Sequence, residues 1–244
     1  MLSIQQLTGG YSRQKPVIHD ISLEVNTAEI VGLIGVNGAG KSTTIKHILG
    51  LLTPHQGLIT VNGITLKEDP IHFRKQMAYI PETPQFYEEL TLWEHLELTA
   101  RAYQLSDQEF QERAQHLLKL FRMEKVVKWF PHTFSKGMQQ KLMILCAFLV
   151  QPALLIVDEP FVGLDPLAIQ TLVELLVKKK ADGTAILMST HILTMAEKYC
   201  DRFVLLHEGR IALHGTLEEM RAQADKPQAT LEELFIHIAK DPIQ

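Results

Sequence analysis

Residues 29–43 read Glu29-Ile30-Val31-Gly32-Leu33-Ile34-Gly35-Val36-Asn37-Gly38-Ala39-Gly40-Lys41-Ser42-Thr43. The apolar run predicts a buried strand, and it feeds directly into the spacing G-x-x-x-x-G-K-S/T, after which a helix opens near Lys41 and stops before Thr53-Pro54. Strand, glycine-rich loop and helix in that order make a cradle for phosphate. Gly35, Gly38 and Gly40, with Asn37 and Ala39 between them, let backbone N–H groups curl around an anion, and the helix N-terminus adds its dipole. Lys41 can reach the terminal phosphates, the Ser42 hydroxyl can ligate Mg²⁺, and Thr43 completes the loop's binding set. The motif predicts binding of a nucleoside triphosphate. It does not settle hydrolysis, because kinases and switches use the same loop.

A second apolar strand, Leu154-Leu155-Ile156-Val157, ends in Asp158-Glu159. Acids delivered by the C-terminal end of such a strand fall at the crevice where open α/β sheets bind ligands, beside the phosphate loop. Asp158 suits Mg²⁺, and Glu159 is the candidate for polarising an attacking water.

Working outward, strands are expected over 2–7, 17–25, 29–35, 57–61 and 77–80, with Asn62-Gly63 as a hairpin signal. From about Thr83 to Pro152 strand signals vanish and amphipathic helices are expected over 92–103, 107–122 and 137–150. Alternation then resumes: strand 153–157, helix 166–180, strand 185–189, helix 192–199, and strands 203–207 and 210–214 joined by Glu208-Gly209. A polar loop over 223–230 precedes a last helix, 231–239. The outline is an α/β core interrupted by a helical insertion.

Four further segments carry a family resemblance. Phe134-Ser135-Lys136-Gly137-Met138-Gln139-Gln140-Lys141 resembles the signature of the ATP-binding cassette (ABC) family, usually L-S-G-G-Q. Gly163-Leu164-Asp165, after Glu159-Pro160, is similar to its D-loop, and Ser189-Thr190-His191 to its switch-histidine motif. Tyr11 matches the aromatic that stacks on adenine, although an isolated tyrosine is more often plain surface or core. The departures are Lys136 for glycine, Met138 for glutamine, Phe134 for leucine, and Glu82 after Tyr79-Ile80-Pro81, where the family's Q-loop has glutamine. Gln85, three residues on, is the alternative holder of that role. Within the family, the chain is most similar to the Ecs-type ATPase subunits of Gram-positive bacteria.

The resemblance implies a P-loop NTPase with a RecA-like core of ABC type, an N-terminal antiparallel β subdomain and an inserted helical subdomain. It implies a single domain over 1–244, divided at 1–82, 83–152, 153–215 and a helical tail, 216–244. ATP and Mg²⁺ are the expected cofactors. Lys41, Glu159 and His191 are the expected catalytic residues, Ser42, Glu82 and Asp158 the metal set, and Asp165 the D-loop acid. Ser135 and Gly137 are expected to cap the γ-phosphate of the opposite subunit of a homodimer. The remaining expectations are a polytopic transmembrane permease as partner, export as the direction of transport by analogy with the family, and contact with the cytoplasmic face of the cell membrane only through that partner. Phe86, Tyr87, Leu90 and Trp93 either receive the permease or pack inside the helical insertion.

Composition agrees with this class and narrows it. A net charge of -4 argues against a nucleic-acid surface. The longest apolar run, Leu142 to Val150, falls short of the ~20 residues a bilayer requires. Met1-Leu2-Ser3-Ile4 lacks the pattern of a signal peptide. Cys146 and Cys200 are expected to be reduced, and the 11 histidines show no metal-ligand spacing. No N-K-x-D motif supports a GTPase. The rival reading is a soluble, non-transport ABC ATPase serving assembly or regulation.

Overall fold

The computed structural model describes residues 1–240. Strand β1 (Leu2–Gly9) pairs antiparallel with β2 (Ile18–Val25). Next come β3 (Ile30–Gly35), helix α1 (Lys41–Ile48) and β4 (Gln56–Val61), which returns to the other edge of β1. Helix α2 (Pro70–Lys75) and β5 (Met77–Ile80) lead into the helices α3 (Leu92–Ala102), α4 (Asp107–Phe121) and α5 (Lys136–Leu149). The chain continues through β6 (Leu154–Asp158), α6 (Pro166–Ala181), β7 (Ala185–Ser189), α7 (Leu193–Tyr199), β8 (Arg202–His207) and β9 (Arg210–Gly215). Helices α8 (Leu217–Gln223) and α9 (Leu231–Lys240) complete it.

Two sheets result: a three-stranded antiparallel sheet, β2-β1-β4, and a six-stranded sheet, β5-β6-β7-β3-β8-β9. The larger sheet is parallel except for the β8–β9 pair. Its order sets β6, β7 and β3 side by side, so their C-terminal ends share one edge. That single fact of topology assembles the site.

Strand periodicity decides what covers each face. Leu154 and Ile156 of β6 join a core with Ile4, Ile21, Val61 and the buried side of α1, while Leu155 and Val157 join the core of α3, α4 and α5. The central strand β3 is buried at every position, which is why it reads as an unbroken apolar run. On α4, Phe110, Ala114, Leu117, Leu118 and Phe121 are buried on one face, as helical spacing predicts. Capping boxes at Thr91, Ser106 and Thr216 satisfy orphan N–H groups at the starts of α3, α4 and α8, each contributing about 1 kcal/mol.

Four expectations need correction. Helix α1 ends at Ile48 rather than near Leu52, because Gly50 takes a left-handed turn with φ +70°. The Asn62-Gly63 turn makes only an isolated bridge, Val61 to Ile64, because Thr65 and Glu68 then bond each other and turn the chain away. Helix α2 was unforeseen: it is too short for apolar periodicity, and its signal is the cap Asp69 with Pro70 in the first turn. Helix α8 occupies part of the C-terminal segment for which only one helix was expected.

No helix among the described residues is long and apolar enough to cross a membrane. Cys146 and Cys200 are free thiols, and burial pushes them up to about 11 and about 12 respectively. Both stay protonated at pH 8, so a thiolate-selective reagent is expected to label neither in the native chain and both in denaturant. Mass spectrometry after timed labelling reads this directly, and rapid native labelling would contradict the burial.

Candidate nucleotide site

The shared strand edge carries a cavity of about 610 Å³ lined by Tyr11, Val17, Val36, Asn37, Gly38, Gly40, Lys41, Ser42, Thr43, Glu82, Asp158, Glu159 and His191. Residues separated by up to 180 positions in the chain therefore face one space. The loop after β3 can take its shape only with glycine at key points. Gly40 has φ +109°, and a Cβ there would lie 2.7 Å from Ile18 Cγ2. Lys41 is buried, and its Nζ donates to the carbonyls of Gly35 at 2.8 Å and Val36 at 3.4 Å. The ammonium is thus held across its own loop, where it can exchange carbonyl partners for phosphate oxygens. Gly35 and Ala39 are buried beneath the loop and shape it without lining the cavity.

Asp158 ends β6 with both carboxylate oxygens engaged. Ser189 Oγ donates to Oδ1, and the Tyr79 hydroxyl donates to Oδ2 at 3.3 Å. Burial, followed by the Asp158 and Glu82 carboxylates, raises the Tyr79 hydroxyl far above its ordinary range, so it stays a donor. Neither Tyr79 nor the role of Ser189 was foreseen. Ser189 is paired with Asp158 and Tyr79 with Ile156 two residues earlier, and only the pairing of β5, β6 and β7 brings them there.

Glu159 lies just past the strand in the left-handed region, φ +46°, an uncommon conformation for a residue with a Cβ. Its N–H is tied to Ser189 through the backbone carbonyl at 3.1 Å and Oγ at 3.2 Å. The turn aims its buried carboxylate at His191: Oε2 accepts from the His191 backbone N–H at 3.1 Å and from Nδ1 at 2.7 Å. An ionised carboxylate only accepts, so Nδ1 carries the proton and Nε2 is left to the cavity.

Tyr11 is 64% exposed at the rim, with Lys46 Nζ 3.1 Å from its hydroxyl and 5.2 Å from the ring centroid. That hydrogen bond lowers the Tyr11 hydroxyl from its ordinary value. The exposed ring offers a surface on which a base can stack. Glu82 reaches the cavity, whereas Gln85 is exposed and does not line it.

The signature residues stand apart from this cavity. Ser135 caps α5, its Oγ accepting from Met138 N–H at 3.3 Å, and Lys136 is exposed. Gly137 passes so close to the D-loop that a Cβ would lie 2.6 Å from the Gly163 carbonyl oxygen. Lys141 Nζ pairs with Asp165 Oδ2 at 2.8 Å, and Asp165 Oδ1 accepts from Ala168 N–H at 2.9 Å to cap α6. The Lys141 ammonium, then the Ala168 amide, hold the Asp165 carboxyl below its usual range. Phe86 and Trp93 pack on the helical core, Trp93 lying 5.0 Å from the Phe110 ring, while Tyr87 is 61% exposed.

Ser42, Glu82 and Asp158 offer oxygen donors beside Lys41, the donor type Mg²⁺ takes. Among the described residues no three His, Cys, Asp or Glu side chains are disposed as a metal cage. The oxygen donors of Ser42, Glu82 and Asp158 fit a Mg²⁺ whose remaining positions water and phosphate oxygens would fill.

Comparison with known proteins places the chain in a family. Residues 18–162 match the ABC transporter family model. The chain is 56% identical over 241 residues to the ABC-type transporter ATP-binding protein EcsA of Bacillus subtilis (strain 168), covering 99% of this chain and 97% of that one. A solved structure described as the ATP binding subunit of an ABC transporter superposes with a TM-score of 0.95 at 53% identity, covering 98% of this chain and 99% of that chain. A dimeric cassette, MJ0796 bound to ADP and Pi, superposes with a TM-score of 0.80 at 24% identity, covering 89% and 99%.

Proposed function

We propose, from the premise that this chain belongs to the ABC transporter family and is an ATP-hydrolysing subunit, that it works as a head-to-tail homodimer driving a separate polytopic permease. The finer reading is an Ecs-type exporter whose ATPase sits at the cytoplasmic face of the membrane, held there by the permease. One observation carries the dimer: Ser135 and Gly137 form an anion-accepting helix start, yet neither lines the nucleotide cavity of its own chain. Each chain then holds two half-sites, and a two-fold pair completes both. The MJ0796 cassette, of the same fold, is dimeric, which supports pairing of two chains.

Within each composite site, Lys41 and the loop amides hold the terminal phosphates of ATP. Glu159 takes up a hydrogen bond from the attacking water and polarises it. His191, oriented by Glu159 through Nδ1, presents Nε2 to the γ-phosphate side. When bound, Mg²⁺ neutralises charge on the phosphate oxygens. Tyr87, exposed beside the start of α3, is the surface we assign to the permease.

Mixing two inactive chains tests the dimer. Lys41→Ala disables the phosphate loop and Ser135→Arg disables the helix start. A mixed dimer assembles one intact site from Ser135 of the first and Lys41 of the second. ATPase activity absent from either variant alone is expected to return on mixing. Mixed dimers that form and stay inactive would overturn the arrangement in trans, provided one intact site is shown to suffice in a wild-type and double-variant mixture.

A further inference from the structure

Gln140 is 1% exposed and lies on α5, five residues beyond Ser135. Its Nε2 donates at 3.1 Å to the carbonyl of Pro81, 59 positions away in sequence. Its Oε1 is buried with no hydrogen-bond partner. An unpaired amide oxygen in a core costs about 1–3 kcal/mol, so a helix built for packing alone would carry an apolar residue here. The one hydrogen bond this amide makes falls on the peptide that leads into Glu82, the acid that β5 delivers to the nucleotide cavity.

Resting on the reading of this cavity as the ATP site, we infer that Gln140 is a positioning residue for Glu82. Flipping the amide would set Oε1 against the Pro81 oxygen, so the orientation is fixed. The Pro81 peptide is thereby fastened to α5, and Glu82 is aimed by the same helix whose N-terminus carries Ser135. A shift of α5 moves Ser135 and Glu82 together. The half-site offered to the second chain and the acid in the chain's own cavity are then mechanically one unit. Among the described residues, no other protein donor bonds the Pro81 carbonyl, so the tie depends on Gln140.

The test uses Gln140→Met, which keeps the volume and removes the donor, and Gln140→Asn, which keeps the amide and shortens its reach. The first readout needs neither nucleotide nor metal. Amide hydrogen exchange over 82–86 is expected to quicken about 2- to 10-fold in both variants, with β3 unchanged. The second is a cycle with Glu82→Ala. Gln140→Met alone is expected to lower kcat roughly 10-fold, shift KM for ATP little, and raise the Mg²⁺ needed for half-maximal rate. In the Glu82→Ala background it is expected to add no further loss. Unchanged exchange over 82–86, or losses that multiply in the double variant, would overturn the inference. A wild-type chain without ATPase activity would instead defeat the functional reading and leave the exchange result to decide the tie.

Discussion

Glu159→Gln is expected to lower kcat on the order of 10³-fold while leaving ATP affinity within about threefold, since removal of a positioned general base costs 10²- to 10⁴-fold. The prediction follows from what the substitution keeps. A glutamine carbonyl can accept from the His191 backbone N–H and Nδ1 as the carboxylate oxygen does, and the N–H ties to Ser189 do not involve the side chain. Shape and orientation persist, and only the proton-accepting charge goes. Because closure on ATP is no longer followed by hydrolysis, the variant is expected to accumulate as a dimer in MgATP. Single-turnover kinetics and gel filtration at saturating MgATP check both parts. Near-native turnover would move the base elsewhere in the site, and a monomer would separate ATP binding from pairing.

Gly137→Val is expected to give the second large loss of turnover, by a different route. The first carbon of the new side chain would sit 2.6 Å from a backbone oxygen, that of Gly163, which cannot swing aside as a side chain could. Either α5 or the D-loop must move by several tenths of an ångström, and misplacement on the ångström scale costs a composite site about 10²-fold in rate. The cavity of the same chain is lined by other residues, so binding of a fluorescent ATP analogue by the monomer is expected to be unchanged. Lys136→Ala, one residue away and exposed, is the control and is expected to stay within about twofold. Loss of activity in that control, or its retention in Gly137→Val, would show that the close approach of α5 and the D-loop does not govern turnover.

The parts legible in sequence were those whose chemistry dictates residue type at fixed local spacing. The glycines and Lys41, the acids ending an apolar strand, and the amphipathic faces of α3 to α5 all announce themselves within a short window. The rest depends on partners far apart in the chain. Tyr79 reads as one more strand residue until β5 pairs with β6 and its hydroxyl meets Asp158. Gln140 reads as the polar tail of a signature until α5 packs behind Pro81. The order β5-β6-β7-β3-β8-β9 leaves no mark on the strands that build the site, because β6, β7 and β3 are each buried at every position. Helix α2 shows the opposite limit: its cap is visible at Asp69, but six residues are too few to display a period.

The α5 contacts also constrain how this region of the gene can change. Gly137 and Lys141, one turn apart, both meet the D-loop, Gln140 meets Pro81, Ser135 caps the helix start, and each direction is set by a rotation of about 100° per residue. Substitution can be tolerated at the exposed Lys136, but insertion or deletion of one residue between Ser135 and Lys141 would turn every later side chain toward the wrong neighbour. The length of this stretch is therefore under tighter control than most of its letters.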